Sequence, residues 1–329
     1  MFNTAIFFRI ADDFVLPPLE ALEEIFQSHR FVPCGATEPE SSGWVPPRGN
    51  KSTVLLESVG RSVIARLCTE RRPVPSSAVK AAVDERIEKY KEETGRERVG
   101  AKIKKEFKQE VMLDLLPRAF TKRSTTTLWI DPVNKFLVVD SGNLTGADKV
   151  ISYLVEALSE IPGALPGLKA SPIQTQMSAA AAMSHWLSTR EAPYNFTVDR
   201  DCELKTPDDQ KATVRYSRHT LDIDEVAQHI AAGKLPTQLA MTWNERVSFV
   251  LTETAQLKKL KLLDVVLDGV QESGKDDDGF DTDAAIITGE LSSLIPDVLD
   301  ALGGELGEGE AAAGQAEVAA PPELAPEPA

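Results

Sequence analysis

Cysteine, histidine and long apolar segments are scarce in this chain of 329 residues. Its cysteines, Cys34, Cys68 and Cys202, lie far apart and form no CxxC pair or other zinc-binding spacing, so we expect a reduced, cytoplasmic protein. No apolar run approaches the roughly 20 residues that cross a bilayer, and we expect no membrane partner. The first residues lack a basic leader region, and we interpret them as a strand rather than a signal peptide.

The common catalytic motifs are also missing from the sequence. It contains no GxxxxGK[ST] phosphate-binding loop, no GxGxxG between a strand and a helix, and no GxSxG nucleophile elbow. The histidines, His29, His185, His219 and His229, have neither metal-ligand nor triad spacing. We therefore expect a protein that is not an enzyme, with no catalytic residue, no cofactor and no bound metal.

An acidic run at 276–283 leaves one catalytic alternative open. In an EF-hand calcium loop starting at Asp276, the sixth residue would be glycine and the twelfth would be glutamate. Here the glycine, Gly279, is the fourth residue, and the twelfth is Ile287. Clustered carboxylates between Asp264 and Asp283 are also the ligands that a metal-dependent nuclease uses. A solvated acidic loop ahead of a helix explains the same residues, because carboxylates suit a helix N-terminus.

The net charge of −15 argues against a nucleic-acid partner, but this charge is unevenly distributed. Residues 268–329 contain 16 acidic residues and one basic residue, so the first 267 residues are electrically neutral. Within them, residues 71–125 carry 15 basic and 9 acidic residues. The body of the protein can therefore present a basic surface to phosphates despite its acidic total.

Periodicity and turn residues predict an α+β protein with antiparallel sheets. The expected strands are Thr4–Ile10, Thr53–Glu57, Ser62–Thr69, 125–131, 136–140, Tyr194–Leu204, Ala212–Arg218, Leu235–Trp243, Arg246–Thr252 and Lys258–Leu263. The expected helices are Pro17–Ser28, one from Ser76 to about Gly95, Lys102–Leu116, Asp148–Glu160, Ile223–Ala232 and Asp283–Leu302. We divide the chain into an α+β unit (1–75), charged helices with a hairpin and a helix (76–165), a second α+β unit (166–304) and a disordered acidic tail (305–329), with Pro162 to Pro172 as a linker.

The cations of the sequence divide into those with carboxylate partners at helical spacing and those without such partners. Between 80 and 110, Lys and Arg alternate with Glu at helical spacing, as in Glu85–Lys89, Glu88–Lys91, Glu92–Arg96 and Lys102–Glu106, which is typical of a solvated helix face. Other cations lack such partners and are our candidate DNA-binding residues. They are Arg118, Lys122 and Arg123 around Phe120, then Arg215, Arg218 and His219, and finally Lys258, Lys259 and Lys261 on an amphipathic strand.

An ordered set of motifs gives the chain a resemblance to a known family. FVPCG (31–35), GWVPP (43–47), LLPRAF (115–120), LWID (128–131), a segment from Trp243 to Phe249, LKKLKLLD (257–264), TGELSSLI (288–295) and LGGE (302–305) follow one another in this order. The set resembles the recombination-associated RdgC family over about residues 1–304.

The resemblance implies a multi-lobed protomer that forms a ring-shaped homodimer around duplex DNA. It further implies sequence-independent DNA binding in the nucleoid, which restrains RecA-promoted strand exchange, and no catalytic activity. Phe120 would be a dimer contact that closes the ring, and Arg218 and His219 would line the hole. Two alternatives stay open at this point: the metal-dependent nuclease on Asp264–Asp283, and a protein–protein scaffold whose charged helices bind a partner.

Overall fold

The computed structural model describes residues 2–161, 168–207, 212–268 and 279–306. Its strands are β1 (Thr4–Ile10), β2 (Glu40–Val45), β3 (Leu56–Val59), β4 (Ser62–Arg71), β5 (Lys122–Asp131), β6 (Phe136–Val139), β7 (Ala170–Pro172), β8 (Phe196–Lys205), β9 (Thr213–Tyr216), β10 (Leu235–Trp243), β11 (Val247–Thr252) and β12 (Leu257–Leu262). Its helices are α1 (Leu19–Ser28), α2 (Ser76–Thr94), α3 (Ala101–Leu115), α4 (Leu144–Ser159), α5 (Ala179–Thr189), α6 (Asp224–Ala231), α7 (Asp264–Leu267) and α8 (Phe280–Ala301).

The twelve strands form one antiparallel sheet with the order β2-β4-β5-β6-β1-β12-β11-β10-β8-β9. β3 adds to β4, and β7 adds to β1. The apolar strand β1 joins the two halves, because Thr4 and Ala5 pair with β12 while Ile6 to Arg9 pair with β6. The predicted α+β class with antiparallel pairing is therefore confirmed.

The first half of the sheet packs against α1 and α4 around Trp44 of β2. The Trp44 side chain is fully buried and stacks on Phe26 of α1 with ring centroids 4.2 Å apart. Gly43 permits this approach, since a Cβ atom there would lie 2.5 Å from the Cα atom of Phe31. The GWVPP motif thus brings β2 against the segment that follows α1.

Helices α5 and α8 pack against β8, β10 and β11 in a second core, which also includes Ile64, Trp129 and Phe136 from the first half of the sheet. Side-chain hydrogen bonds also fix α8 on this side. The Trp243 Nε1–H donates to Asp297 at 2.6 Å, and the Arg246 Nε donates to Glu290 at 3.0 Å. The long helix α8 therefore covers the sheet through both apolar packing and charge-assisted hydrogen bonds.

Helices α2 and α3 form a hairpin that packs mainly on itself. Tyr90 and Phe107 meet edge to face with centroids 5.7 Å apart, and Arg86 donates to Glu110 at 2.6 Å. Beyond α2, the principal neighbour of α3 is the 3-10 turn Leu116–Arg118 that leads into β5. We call residues 76–115 the helical hairpin.

Most strongly patterned elements lie where the sequence predicts them. Strands β1 and β10 have the predicted bounds, the interruption between Gly95 and Gly100 separates α2 from α3, and α8 runs through Gly289 and Pro296. Four elements were missed: β2, β7, α5 and the short helix α7. The segment of β2 is polar on its exposed positions. The helix α5 is rich in alanine, although its buried residues recur at helical spacing: Ala179, Ala182, Met183, Trp186 and Leu187.

Other predictions differ in position or fall outside the described residues. The strand predicted at Thr53–Glu57 is β3 at Leu56–Val59, because it pairs with β4 across the Gly60 turn, where φ is +62°. The linker residues 162–167, the acidic residues 269–278 and the tail after 306 lie outside the described residues. The four-part domain division stays a prediction, and β4 and β5, on either side of its boundary at 75, are hydrogen-bonded along their length.

Candidate nucleic-acid interface

The fold brings together cations that lie about 60 residues apart in the chain. Arg200 of β8, Arg218 after β9, and Lys259 and Lys261 of β12 line one shallow cavity of about 530 Å³. All four side chains are exposed. We call this surface the sheet face. Asp199 and Asp201 also line it, which leaves two positive charges in excess.

The backbone at two of these cations adopts the left-handed region, with φ of +54° at both Arg218 and Lys259. At Lys259 the pairing of β11 with β12 shifts register, which is the mark of a β-bulge. The bulge lets Leu257 and Leu260 both reach the core although they are three residues apart. The predicted amphipathic strand with a basic outer face is therefore confirmed, with a bulge in place of strict alternation.

Asp201 holds the turn that carries Arg218. Its carboxylate accepts the backbone N–H of Arg218 at 2.7 Å, and this hydrogen bond is the main reason that the pKa of Asp201 is lowered. Lys259 and Arg218 add favourable charge. The Asp201 carboxylate thus positions the cations around it. Because Arg218 contacts Asp201 through its backbone N–H, its guanidinium group stays exposed.

Arg215, a predicted DNA-binding residue, is held by a buried carboxylate. Its Nε donates to Glu203 at 3.0 Å, and Lys205 Nζ lies 2.6 Å from the other carboxylate oxygen. Hydrogen bonds from Lys205 and Arg215 lower the pKa of Glu203 to about 2, although burial of this 3% exposed residue opposes the shift. Arg215 therefore brings less free charge to the surface than Arg218.

His219 and Arg200 complete this region. The His219 backbone N–H donates to the Arg200 carbonyl at 3.1 Å, and the His219 Nδ1 lies 2.7 Å from the Thr220 carbonyl oxygen. Lys258 is half-buried and pairs with Thr4 and Val250. Sequence reasoning missed Arg200, because it lies between Asp199 and Asp201 and its neighbourhood is acidic in sequence. Only the strand pairing brings it beside the other cations.

The predicted cation cluster around Phe120 lies at the start of β5, in the other half of the sheet. Arg118, Lys122 and Arg123 are all exposed there, and Phe120 between them is 93% exposed. Arg123 is bound to the buried carboxylate of Glu70 and lies over the Phe31 ring at 5.2 Å. Its hydrogen bond is the main cause that lowers the pKa of Glu70. Arg118 and Lys122 have no ion-pair partner within the described residues.

The loop that carries Phe120 adjoins the FVPCG segment. The Arg72 guanidinium donates to the Ala119 carbonyl and to the Cys34 carbonyl, both at 3.3 Å. Val32, in the second segment, is 67% exposed. The FVPCG and LLPRAF motifs, which are far apart in sequence, therefore form one surface with exposed apolar side chains. This surface lies beside the cation cluster around Phe120.

The carboxylates of the nuclease alternative are only partly described. Asp281 binds Arg48 at 2.5 Å, and Asp264 begins the short helix α7. In the described parts of the chain, no three His, Cys, Asp or Glu side chains are grouped so that they could hold a metal ion. Asp276, with residues 277 and 278, lies outside the described residues.

Within the described ranges, no helix has the length and apolar character that a membrane crossing requires.

Comparison with known proteins gives consistent matches over most of the chain. A family model described as "Putative exonuclease, RdgC" matches residues 1–305. The chain is 40% identical over 287 residues to the Recombination-associated protein RdgC of Herminiimonas arsenicoxydans, which covers 87% of this chain and 92% of that protein. It is 41% identical over 294 residues to the protein of the same name from Dechloromonas aromatica (strain RCB), with 88% and 93% covered. The protein of that name from Bordetella pertussis is 36% identical over 287 residues, with 87% and 93% covered.

Proposed function

Because the chain belongs to the RdgC family, we propose that it acts in DNA recombination by binding double-stranded DNA without sequence preference. The observation that carries this proposal is the sheet face, where Arg200, Arg218, Lys259 and Lys261 meet from three separate segments. Flexible cations on an open surface suit phosphates, whose spacing is the same for every sequence. We therefore expect the affinity to come from release of the counterions around DNA.

The proposed assembly is a ring-shaped homodimer of multi-lobed protomers that encircles the duplex. Encirclement retains DNA with few contacts, because dissociation then requires sliding off an end or opening the ring. A duplex covered in this way is less accessible to RecA, and this protein would thereby limit strand exchange. It would act in the cytoplasm, associated with the nucleoid. Neither a catalytic residue nor a cofactor is part of the proposal.

The proposal predicts equal affinity for unrelated duplexes and a steep dependence on salt. Each phosphate contact contributes about 0.9 to the negative slope of log K against log salt concentration. A gel-shift or anisotropy series with two duplexes of equal length and unrelated sequence measures both quantities. Strong preference for one sequence, or a flat salt dependence, contradicts the proposal.

The proposed ring closure depends on Phe120. An exposed aromatic of this kind is a typical anchor of a protein interface, and its truncation leaves no cavity within the protomer. We expect Phe120→Ala to weaken dimerisation at least 10-fold, with free energy of unfolding of the protomer changed by less than about 0.5 kcal/mol. Sedimentation analysis over a range of protein concentrations measures the dimer dissociation constant.

Tyr194→Ala is the matched control for this variant, because Tyr194 is an aromatic residue with a similar exposure of 89%. It should dimerise as the parent protein does. If Phe120→Ala stays dimeric at the lowest concentration measured, Phe120 does not close the ring.

An exonuclease is the second candidate, since the matching family model carries that word. End-labelled linear duplex incubated with Mg²⁺ or Mn²⁺ separates the two functions. Under the binding proposal the label is retained. If the label is lost with the parent protein but retained with Asp281→Ala, a nuclease built on the carboxylates between Asp264 and Asp283 is favoured.

A protein–protein scaffold is favoured if the protein retains no duplex at ~0.1 M salt.

A further inference from the structure

The chain continues beyond the part that the RdgC family model matches. That model covers residues 1–305, and residues 307–329 contain five glutamates and neither lysine nor arginine. We call residues 307–329 the C-terminal segment. Its glutamates are Glu308, Glu310, Glu317, Glu323 and Glu327. The family match does not account for this concentration of negative charge.

The structure fixes the point from which the C-terminal segment departs. The Leu306 backbone N–H donates to the Gln174 carbonyl at 2.9 Å. Just before it, the Glu305 carboxylate accepts a hydrogen bond from the Arg9 Nε at 3.0 Å. Arg9 belongs to β1, the strand that joins the two halves of the sheet. The C-terminal segment therefore begins beside the middle of the sheet.

The sheet face lies a short distance along β1 from this point. Arg9 and Thr4 are five residues apart on the strand, which corresponds to about 17 Å at about 3.3 Å per residue. Thr4 pairs with Lys258 of β12, the neighbour of Lys259 in the sheet face. The two places are thus joined by a single strand pairing.

The C-terminal segment is long enough to pass around the sheet. Along β10, Leu239 and Met241 point into the core with α5 and α8, whereas Ala240 between them lines the sheet face. The sheet face is therefore on the side opposite to α8, and the path to it is about twice as long as the direct distance. A chain of 23 residues spans up to about 75 Å, which covers such a path.

The other predicted cation clusters lie farther from this starting point. Strand β5 runs from Lys122 to Asp131, and its Asp131 end lies near Arg9, because both residues pair with Phe136. The cluster around Phe120 is therefore about 30 Å away along β5, and the helical hairpin extends from that same end. Of these basic surfaces, the sheet face is the nearest to the start of the C-terminal segment.

The sheet face and the C-terminal segment have opposite charges. The sheet face has four cations and two carboxylates, and the segment adds five carboxylates with no cation. An exposed ion pair contributes little by itself and is weakened by salt. Tethering raises the effective concentration of the segment, however, so that several weak pairs act together. Glutamates held close in this way contact the same exposed cations that suit phosphates.

We propose that the C-terminal segment docks on the sheet face of its own chain and competes there with DNA phosphates. This inference rests on the proposed function, which places DNA at the same cations. Without DNA the segment covers the sheet face, and DNA must displace it in order to bind. The segment therefore lowers the affinity for DNA most at low salt, where its ion pairs are least screened.

The first test replaces the glutamates of the segment in the full-length protein and measures binding of duplex DNA by anisotropy. We expect this variant to bind about 5-fold more tightly than the parent at ~0.05 M salt, and less than about 2-fold more tightly at ~0.3 M salt. The gain should disappear when Arg218→Gln/Lys259→Gln/Lys261→Gln is added, since both changes act on the same contacts. The substitutions are Glu308→Gln, Glu310→Gln, Glu317→Gln, Glu323→Gln and Glu327→Gln.

A matched control removes five negative charges from exposed positions of α1, α4 and the residues before α1. It combines Asp13→Asn, Glu20→Gln, Glu24→Gln, Asp148→Asn and Glu156→Gln, and it should bind duplex DNA nearly as the parent does. An equal gain in the control overturns the proposal, because total charge then explains the effect. A gain that persists without the sheet-face cations overturns it as well.

The second test detects the contact in the absence of DNA. A carbodiimide joins a carboxylate to a lysine amine that touches it and takes up the water released, and mass spectrometry identifies the joined residues. In the full-length protein we expect cross-links from the C-terminal segment to Lys259 or Lys261. If cross-links are absent or reach only the lysines of the helical hairpin, the docking proposal is overturned while DNA binding can still be observed. If they form in a parent protein that does not bind duplex DNA, the docking stands and the proposed function fails.

Discussion

Replacement of Arg218, Lys259 and Lys261 by glutamine is expected to weaken binding of duplex DNA about 100-fold at ~0.15 M salt. Each lost phosphate contact removes about 0.9 from the salt slope, so three contacts lower it by about 3. The side chains are exposed, and glutamine stays polar and flexible while it removes the charge. Stability should therefore change little. Anisotropy titrations at several salt concentrations give both the affinity and the slope.

The control is Lys51→Gln/Lys80→Gln/Lys169→Gln, which makes the same change in net charge at exposed lysines away from the sheet face. A comparable loss in that variant would mean that total charge, rather than the sheet face, governs binding. An unchanged slope in the sheet-face variant would exclude Arg218, Lys259 and Lys261 from the interface. Arg215→Gln should have a smaller effect, because Glu203 already neutralises Arg215.

Trp44→Ala is expected to lower the free energy of unfolding by about 3–5 kcal/mol, the range for truncating a large aromatic side chain in a core. Trp44 is fully buried, and its ring stacks on Phe26 at 4.2 Å. Its backbone also pairs with the segment after α1, through a hydrogen bond from the Trp44 N–H to the His29 carbonyl at 3.0 Å. Urea denaturation followed by circular dichroism measures the change.

Trp44→Phe is the matched control for this cost. It keeps an aromatic ring against Phe26 and removes an indole N–H that has no hydrogen-bond partner among the described residues. We expect it to cost clearly less than the alanine variant. Equal losses for both variants would indicate that the stability at this position comes from something other than the stacked ring.

Local signals in the sequence were sufficient for many elements. Alternation of apolar residues identified β10 and its neighbours, and the glycines at 95 and 100 divided α2 from α3. The strand β2 was missed because Gly43 and Trp44 are the only buried residues in it, and their burial depends on the approach of Phe31. Helix α5 was missed because alanine occupies both buried and exposed positions in its first turn, which weakens the period of its apolar face. Its position is decided by packing against β10 and β11.

For the candidate interface, the sequence identified the residue types but not their grouping. Arg218 and Lys259 were separate clusters in sequence, and strand order β12-β11-β10-β8-β9 placed them on one surface. Arg200 was hidden by its acidic neighbours. Arg215 and Arg123 were candidates for DNA, yet Glu203 and Glu70, which are buried, bind them. Helical spacing predicted ion pairs near Arg96 and Lys102 that the described structure does not contain.

By itself, the sequence determined the family, the α+β class and the periodic elements, because those depend on order along the chain and on neighbours within a few residues. Only the tertiary structure decided which cations keep a free charge. An ion pair such as Arg123–Glu70 joins residues 53 positions apart. The cations of the sheet face meet only after the four pairings that join β12, β11, β10, β8 and β9. Charge on a surface depends on distances in space, and sequence spacing fixes those distances only within a single helix or strand.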